Sequence, residues 1–251
     1  MFGMTGYHPN ILQIEEALVD DQGRAVLVMP LLKKIEMLNK DLSGIAVMIR
    51  DLMKALAHIH SKGIAHLDIN PNNIMCDNND HLVLIDFGLS RKCCDEPIAP
   101  CGTPGYIAPE MYTGNAHGTY VDIYSAGIIL GSLLEPYVPD CYLNYLGCRC
   151  EMGTQSLCTL IDALDSFSQE RCYNIRPSIV YDAVNLLQNM LNPNPNQRIT
   201  AAEALNHPFL TASHTEFDGT DINSYTSTLQ IIRYHRSVSA SPVSSYEYDY
   251  Y

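Results

Sequence analysis

His66-Leu67-Asp68-Ile69-Asn70-Pro71-Asn72-Asn73 decides how this chain reads. The stretch packs one acid, three amides and a proline between two apolar runs, and it follows neither the helical nor the strand period. It reads as a polar loop held between regular elements. Two more loop pieces follow at short range. Asp86-Phe87-Gly88 comes straight after the apolar run Leu82–Ile85. Gly102-Thr103-Pro104-Gly105-Tyr106-Ile107-Ala108-Pro109-Glu110 closes a Gly/Pro-rich loop that runs from Gly88 to about Tyr112. From Asp68 to Asp86 is 18 residues, from Asp86 to Glu110 is 24, and from Glu110 to Asp122 is 12.

Regular elements are expected on both sides of these loops. Leu42, Ile45, Ala46, Ile49, Leu52, Met53, Leu56 and Ile59 recur at helical spacing, so 42–59 is a helix with one buried stripe, stopped by Gly63. Ile74–Met75 and Leu82–Ile85 are short strands around the turn Asp77-Asn78-Asn79-Asp80. Tyr120–Leu134 is apolar nearly all round, which marks a central helix. Nearer the start, Ile11–Leu18 and Arg24–Met29 flank Asp20-Asp21-Gln22-Gly23 as a hairpin.

The second half is read more coarsely. Residues 135–177 form a connection with one helix at about 156–167. Ile179, Ala183, Leu186, Leu187, Met190 and Leu191 mark an amphipathic helix. Thr200 and Glu203 open a short helix through a capping box. From 211 to 251 the chain is polar and reads as a disordered tail.

The composition sets limits. The chain has 251 residues, 47% of them hydrophobic and 17% charged, which supplies a sizeable core and excludes wholesale disorder. The net charge of −13, with no Lys/Arg run, argues against a nucleic-acid binder. The longest apolar stretch, Tyr124–Leu134, is too short to span a bilayer, so no membrane partner is expected. The start has no basic segment followed by an apolar run, so no export signal is expected. Nine cysteines, an odd number, then read as free thiols in a reducing, intracellular setting. Cys148 and Cys150 lack a second pair at zinc-ligand spacing.

The three loop pieces resemble the catalytic loop, metal loop and activation segment of the eukaryotic protein kinase family, whose signatures are H-R-D-L-x-x-x-N, D-F-G and A-P-E. Each piece alone arises by chance, but the ordered set is far rarer. The resemblance covers roughly residues 8–210. It implies an α+β, protein-kinase-like fold with a mostly helical large lobe at 33–210. Residues 1–32 would be a truncated small lobe, reduced to the hairpin and the hinge.

The resemblance also implies roles. Asp68 would accept the proton of the attacking hydroxyl, with Thr103 in contact with it. Asn73 and Asp86 would hold Mg²⁺, with ATP as phosphoryl donor and a protein Ser or Thr as acceptor. Met29 would be the gatekeeper and Pro30-Leu31-Leu32 the hinge. Met75 and Ile85 would lie under the adenine. Glu110 and Arg198 resemble a buried ion pair, and Asp122 the residue that fixes the catalytic-loop backbone. HLD followed by NIMC is similar to the myosin light-chain kinase group. VMPLL, GTPGYIAPE and NPNPNQRITAAEALNHPFL look more like the cell-division-cycle-seven type of S-phase kinase, which would imply an activating regulatory subunit and a nuclear rather than cytoplasmic setting.

Three departures keep a second reading open. The 251 residues contain no G-x-G-x-x-G loop, strand lysine or partner glutamate of the kind that clamps a nucleotide. Asn70 stands where such enzymes carry a lysine. Leu67 replaces the arginine of the catalytic loop, so activation by loop phosphorylation is not expected. A catalytically impaired binding or scaffold protein of pseudokinase type is the alternative. His66 reads as a packed structural residue, and His58 and His60 as surface or core-edge residues.

Overall fold

The computed structural model describes residues 5–35, 40–93, 99–113, 118–134, 137 and 177–212. The expected helix at 156–167, Cys148 and Cys150, and the expected tail beyond 212 lie outside them. By contacts the chain divides into Met1–Ala212 and Ser213–Tyr251, and the first unit is described here.

Helix α1 spans Leu42–His60. Asp41 caps it by accepting the Gly44 N–H at 2.7 Å, and Gly63 at φ +67 carries the turn that ends it. All eight apolar positions of the expected stripe are buried. Each Leu or Ile so buried is worth about 1.5–3 kcal/mol relative to exposure. Helix α2, Tyr120–Leu134, packs on α1 and on α3, Pro177–Met190. It is buried on nearly every side, as its composition requires.

The described residues end with α4, Ala201–Ala204, and α5, Pro208–Thr211. Thr200 and Glu203 form the expected capping box in full. Both short helices pack on α1, where Arg50 donates to the Leu210 carbonyl.

Among the described residues three small sheets accompany this helical body. Strands β1, Glu16–Val19, and β2, Ala25–Val28, form an antiparallel hairpin in which Leu18 faces Val26 and Ala17 faces Leu27. Strands β3, Lys33–Lys34, β5, Ile74–Cys76, and β6, Leu82–Leu84, form a second sheet with β5 in the middle. Strands β4, Ile64–Ala65, and β7, Arg91–Lys92, form the third. The Asp77–Asp80 turn joins β5 to β6, with the Asp77 carboxylate accepting the Asn79 and His81 N–H groups.

One boundary moves. The hairpin was expected to begin at Ile11, but β1 begins at Glu16. Residues 10–12 pair with β6 instead. The Leu12 N–H donates to the Leu84 carbonyl at 2.9 Å, and the Leu84 N–H to the Asn10 carbonyl at 2.8 Å. Ile11 is thereby buried in the main core, a better place for it than an exposed strand. The element order is thus a hairpin followed by a mostly helical body with short strands, an α+β arrangement as expected. Among the described residues no helix is long and apolar enough to cross a membrane.

Candidate active site

The loop between β4 and β5 is built around one buried carboxylate. Asp122, in the first turn of α2, accepts the Leu67 N–H through Oδ1 and the His66 N–H through Oδ2, both at 2.8 Å. His60, at the end of α1, bonds the same Oδ2 at 2.9 Å. These bonds hold Leu67 at φ +69, a left-handed conformation that costs a side-chain-bearing residue roughly 1–2 kcal/mol. The bend brings the Leu67 carbonyl so close to Gly102 that a Cβ there would sit 2.6 Å from it. Only glycine fits at that crossing of the two loops.

His66 is fully buried. Its Nε2 donates to the Ile85 carbonyl at 3.0 Å, so its Nδ1 is the acceptor for the Asp68 N–H at 3.3 Å. Burial holds its imidazole below the ordinary value, and the nearby Asp122 only partly offsets this. A neutral, doubly bonded ring is a structural strut, as the sequence suggested.

Asp68 gathers the polar residues of both loops. Its Oδ1 accepts the Thr103 hydroxyl at 2.7 Å, the Thr103 N–H at 2.9 Å and Asn70 Nδ2 at 3.0 Å. Its Oδ2 accepts Asn73 Nδ2 at 2.8 Å. Asn70 also donates to Thr103 Oγ1 at 3.0 Å, and its own Oδ1 accepts the Asn72 N–H at 2.9 Å. Thr103 and Asn70 therefore both lie at the Asp68 carboxylate, and Asn73 with them. The buried Asn70 amide occupies its position with hydrogen bonds and no charge.

Asp86 lies two residues past β6. The Ile85 N–H donates to the Asn73 carbonyl at 3.0 Å, which ties the two loops one residue before Asp86. Asp86 has φ +57 and an exposed side chain, and its Oδ1 accepts the Gly88 N–H at 3.0 Å. Asn73 uses Nδ2 for both of its bonds to Asp68, which leaves Oδ1 for a cation. An amide oxygen and an exposed carboxylate suit a hard ion such as Mg²⁺.

The segment from Gly102 to Glu110 is fastened at three points. Thr103 bonds Asp68, the Ser125 hydroxyl donates to the Tyr106 carbonyl at 2.6 Å, and Glu110 meets Arg198. The last pair is bidentate, at 2.5 and 3.1 Å, and Arg198 also donates to the carbonyls of Tyr120 and Asn192. Leu67 is buried with Ala65, Ala108, Met111 and Val121. Where the resembling family has an arginine to grip a phosphate, this chain has an apolar plug between the catalytic loop and the segment.

The residues expected to hold adenine are more spread out. Met29 follows the hairpin and is 43% exposed, and Leu31 is 90% exposed. Pro30 is exposed and Leu32 half-buried, leading into β3. There Lys34 pairs with Met75. Met75 and Ile85 are both half-buried. The sheet thus links the hinge stretch to the loop that carries Asp86. His60 and Ser125 also fix the site, and the sequence alone does not mark them, because their partners lie 62 and 19 residues away.

Comparison with known proteins agrees with this geometry. A family model described as protein kinase domain matches residues 2–210. The serine/threonine-protein kinase DCLK3 of Mus musculus is 31% identical over 216 residues, covering 81% of this chain and 26% of that protein. The calcium/calmodulin-dependent protein kinase cmkB of Emericella nidulans is 31% identical over 186 residues, covering 71% and 43% respectively. A putative mitogen-activated protein kinase 14C of Drosophila melanogaster is 33% identical over 186 residues, covering 66% and 51%. The chain therefore spans between about a quarter and a half of the length of these relatives. With a family model over most of its length and the catalytic loop, metal loop and activation segment assembled in order, the chain belongs to the protein kinase family.

Proposed function

We propose that this chain carries the phosphotransfer half of a serine/threonine protein kinase, moving the γ-phosphate of ATP to a Ser or Thr hydroxyl of a protein. The observation that carries the reading is the Asp68 cluster. One carboxylate is fixed by Thr103, Asn70 and Asn73 beside a small cavity lined by Ile69, Tyr106, Ile107 and Ser125. Asp68 orients the hydroxyl and takes its proton. Thr103 and Asn70 hold the acid in place. Asn73 and Asp86 are the candidate Mg²⁺ ligands, and Mg²⁺ bound there would offset phosphate charge. Met29, Pro30, Leu32, Met75 and Ile85 are the residues assigned to adenine. Residues 1–32 are read as the end of a small lobe, 33–210 as the large lobe and 211–251 as a tail. The relatives named above are of other groups, so they lend no support to the S-phase kinase type, its regulatory subunit or a nuclear setting.

Transfer of labelled phosphate from ATP to a protein substrate tests this, with Asp68→Asn as control. The expected result is incorporation on Ser/Thr that falls about 10²–10⁴-fold in the variant. Equal background in both chains would sink the reading.

A second reading rests on Asn70. A buried neutral amide in the lysine position gives no positive charge to a departing phosphate, which favours a scaffold that binds partners without transfer. It predicts no thermal shift with Mg·ATP. A shift that disappears in Asp86→Ala counts against it.

A further inference from the structure

We propose that His8 and His58 form a pH-sensitive latch that holds residues 5–12 against α1 and β6 and loosens them on acidification. The proposal does not depend on the kinase reaction. It rests on a cluster that lies outside the three motifs.

The two imidazoles stack with ring centroids 4.7 Å apart and planes tilted by 34°. His58 lies on α1, and its Nε2 donates to the Thr5 carbonyl at 2.6 Å. His8 is half-buried, and its Nδ1 accepts the Asn10 N–H at 3.2 Å. An acceptor Nδ1 is an unprotonated one, so this bond exists only with neutral His8. Asn10 is buried and carries the next fastening, donating Nδ2 to the Leu82 carbonyl at 2.8 Å. Its carbonyl and the Leu12 N–H then pair with Leu84, two residues before Asp86. The line of contacts thus runs from the stacked rings to β6, the strand that precedes the Asp86 loop.

The groups facing His8 come from α1. They are His58, Lys54 and Asp51. Asp51 is itself bound to Lys54 at 2.9 Å, so its attraction for a protonated His8 is partly spent. Lys62, just past α1, stands beside Gly6 and adds positive charge near the segment. Burial first, then His58 and Lys54, hold the His8 imidazole below its ordinary value of 6.5, and Asp51 opposes them. A histidine whose folded value is depressed favours the folded state above its unfolded value. That contribution is present above about pH 6.5 and is lost as the pH falls towards the folded value. Protonation also ends acceptance from Asn10 and sets a cation against the His58 ring.

Amide hydrogen exchange of the 251-residue chain at pH 7.5 and 5.5, corrected for intrinsic rates, tests the latch at two reporter amides, Leu12 and Leu84. The wild-type chain is expected to lose about threefold or more of its protection there at the lower pH. His8→Asn keeps an oxygen acceptor for the Asn10 N–H and removes the titration, so its protection is expected to stay level. Unchanged protection in the wild type, or the same acid loss in His8→Asn, overturns the proposal. If His8→Asn does not fold, the ring-proton titration of wild-type His8 decides. A midpoint below 6.5 that coincides with the loss of Leu12 and Leu84 protection supports the latch. A midpoint at or above 6.5, or one unrelated to that loss, overturns it.

Discussion

The catalytic loop and the hairpin are both short, irregular in sequence and joined by tight turns, yet they are held in opposite ways. In residues 64–73 the backbone is pinned by buried and half-buried partners. Asp122 holds His66 and Leu67, Thr103 holds Asp68, and Asn73 bonds back to it. In β1 and β2 every residue is exposed, including Leu18, Val19, Val26, Leu27 and Val28. The cross-strand ladder and the Asp20–Arg24 pair define that hairpin, and its apolar side chains gain little. An isolated two-stranded hairpin is marginal in water. The loop's conformation is therefore fixed by long-range polar contacts, and the hairpin's by local pairing.

If that contrast is right, cutting a single polar fastening of the loop region must cost far more than trimming an apolar hairpin residue. The largest effect is expected from Glu110→Ala. It leaves the fully buried Arg198 guanidinium without its bidentate partner, and breaking a buried pair from one side costs about 3–5 kcal/mol. Urea denaturation gives the number. A cost under about 1 kcal/mol would mean that the Tyr120 and Asn192 carbonyls alone satisfy Arg198. Next comes Asp122→Asn. The amide keeps one oxygen acceptor but points an NH₂ at donors, and hydrogen bonds to a charged group are worth about 1.5–3 kcal/mol each. A loss of about 2–3 kcal/mol is expected, together with faster amide exchange at His66 and Leu67. Exchange that stays slow at those two amides would show that Gly102 and Ile85 hold the bend without Asp122.

How much of this was readable beforehand follows the same division. The stripe of α1 and the apolar girth of α2 were legible because helical period and burial follow directly from residue type. Asp68, Thr103, Asn70 and Asn73 were legible through the ordered motifs, and the structure brings them within hydrogen-bond reach of one another. The docking of Ile11 on Leu84 was not. Locally, Ile11–Leu18 reads as one β-prone run, and the competition with β6 is decided by burial 73 residues away. His60 on Asp122, Ser125 on Tyr106 and Asn10 on Leu82 were hidden for the same reason. A single polar residue gives no hint of its partner until the elements are packed. The apolar plug at Leu67 was half legible. The substitution was visible, but its four neighbours come from three separate stretches.

The smallest effect is the sharpest test of the contrast. Leu52 of α1 is fully buried and Leu27 of β2 is 47% exposed, so the same truncation to alanine should give two different costs. Leu52→Ala removes a filled volume from the core and is expected to cost about 2–5 kcal/mol. Leu27→Ala loses only the half of the side chain that is out of water, which at about 25 cal/mol per Å² stays under roughly 1 kcal/mol. The register also limits the damage, because Leu27 pairs with Ala17, and a small residue opposite leaves no cavity when the larger one is trimmed. Measured by urea denaturation at two protein concentrations, the pair separates two accounts of the hairpin. A small, concentration-independent cost for Leu27→Ala leaves the hairpin an open surface held by its own ladder. A cost close to that of Leu52→Ala that grows with concentration would mean that Leu27 is buried against a second copy in solution, and the contrast between the two regions would then belong to the monomer alone.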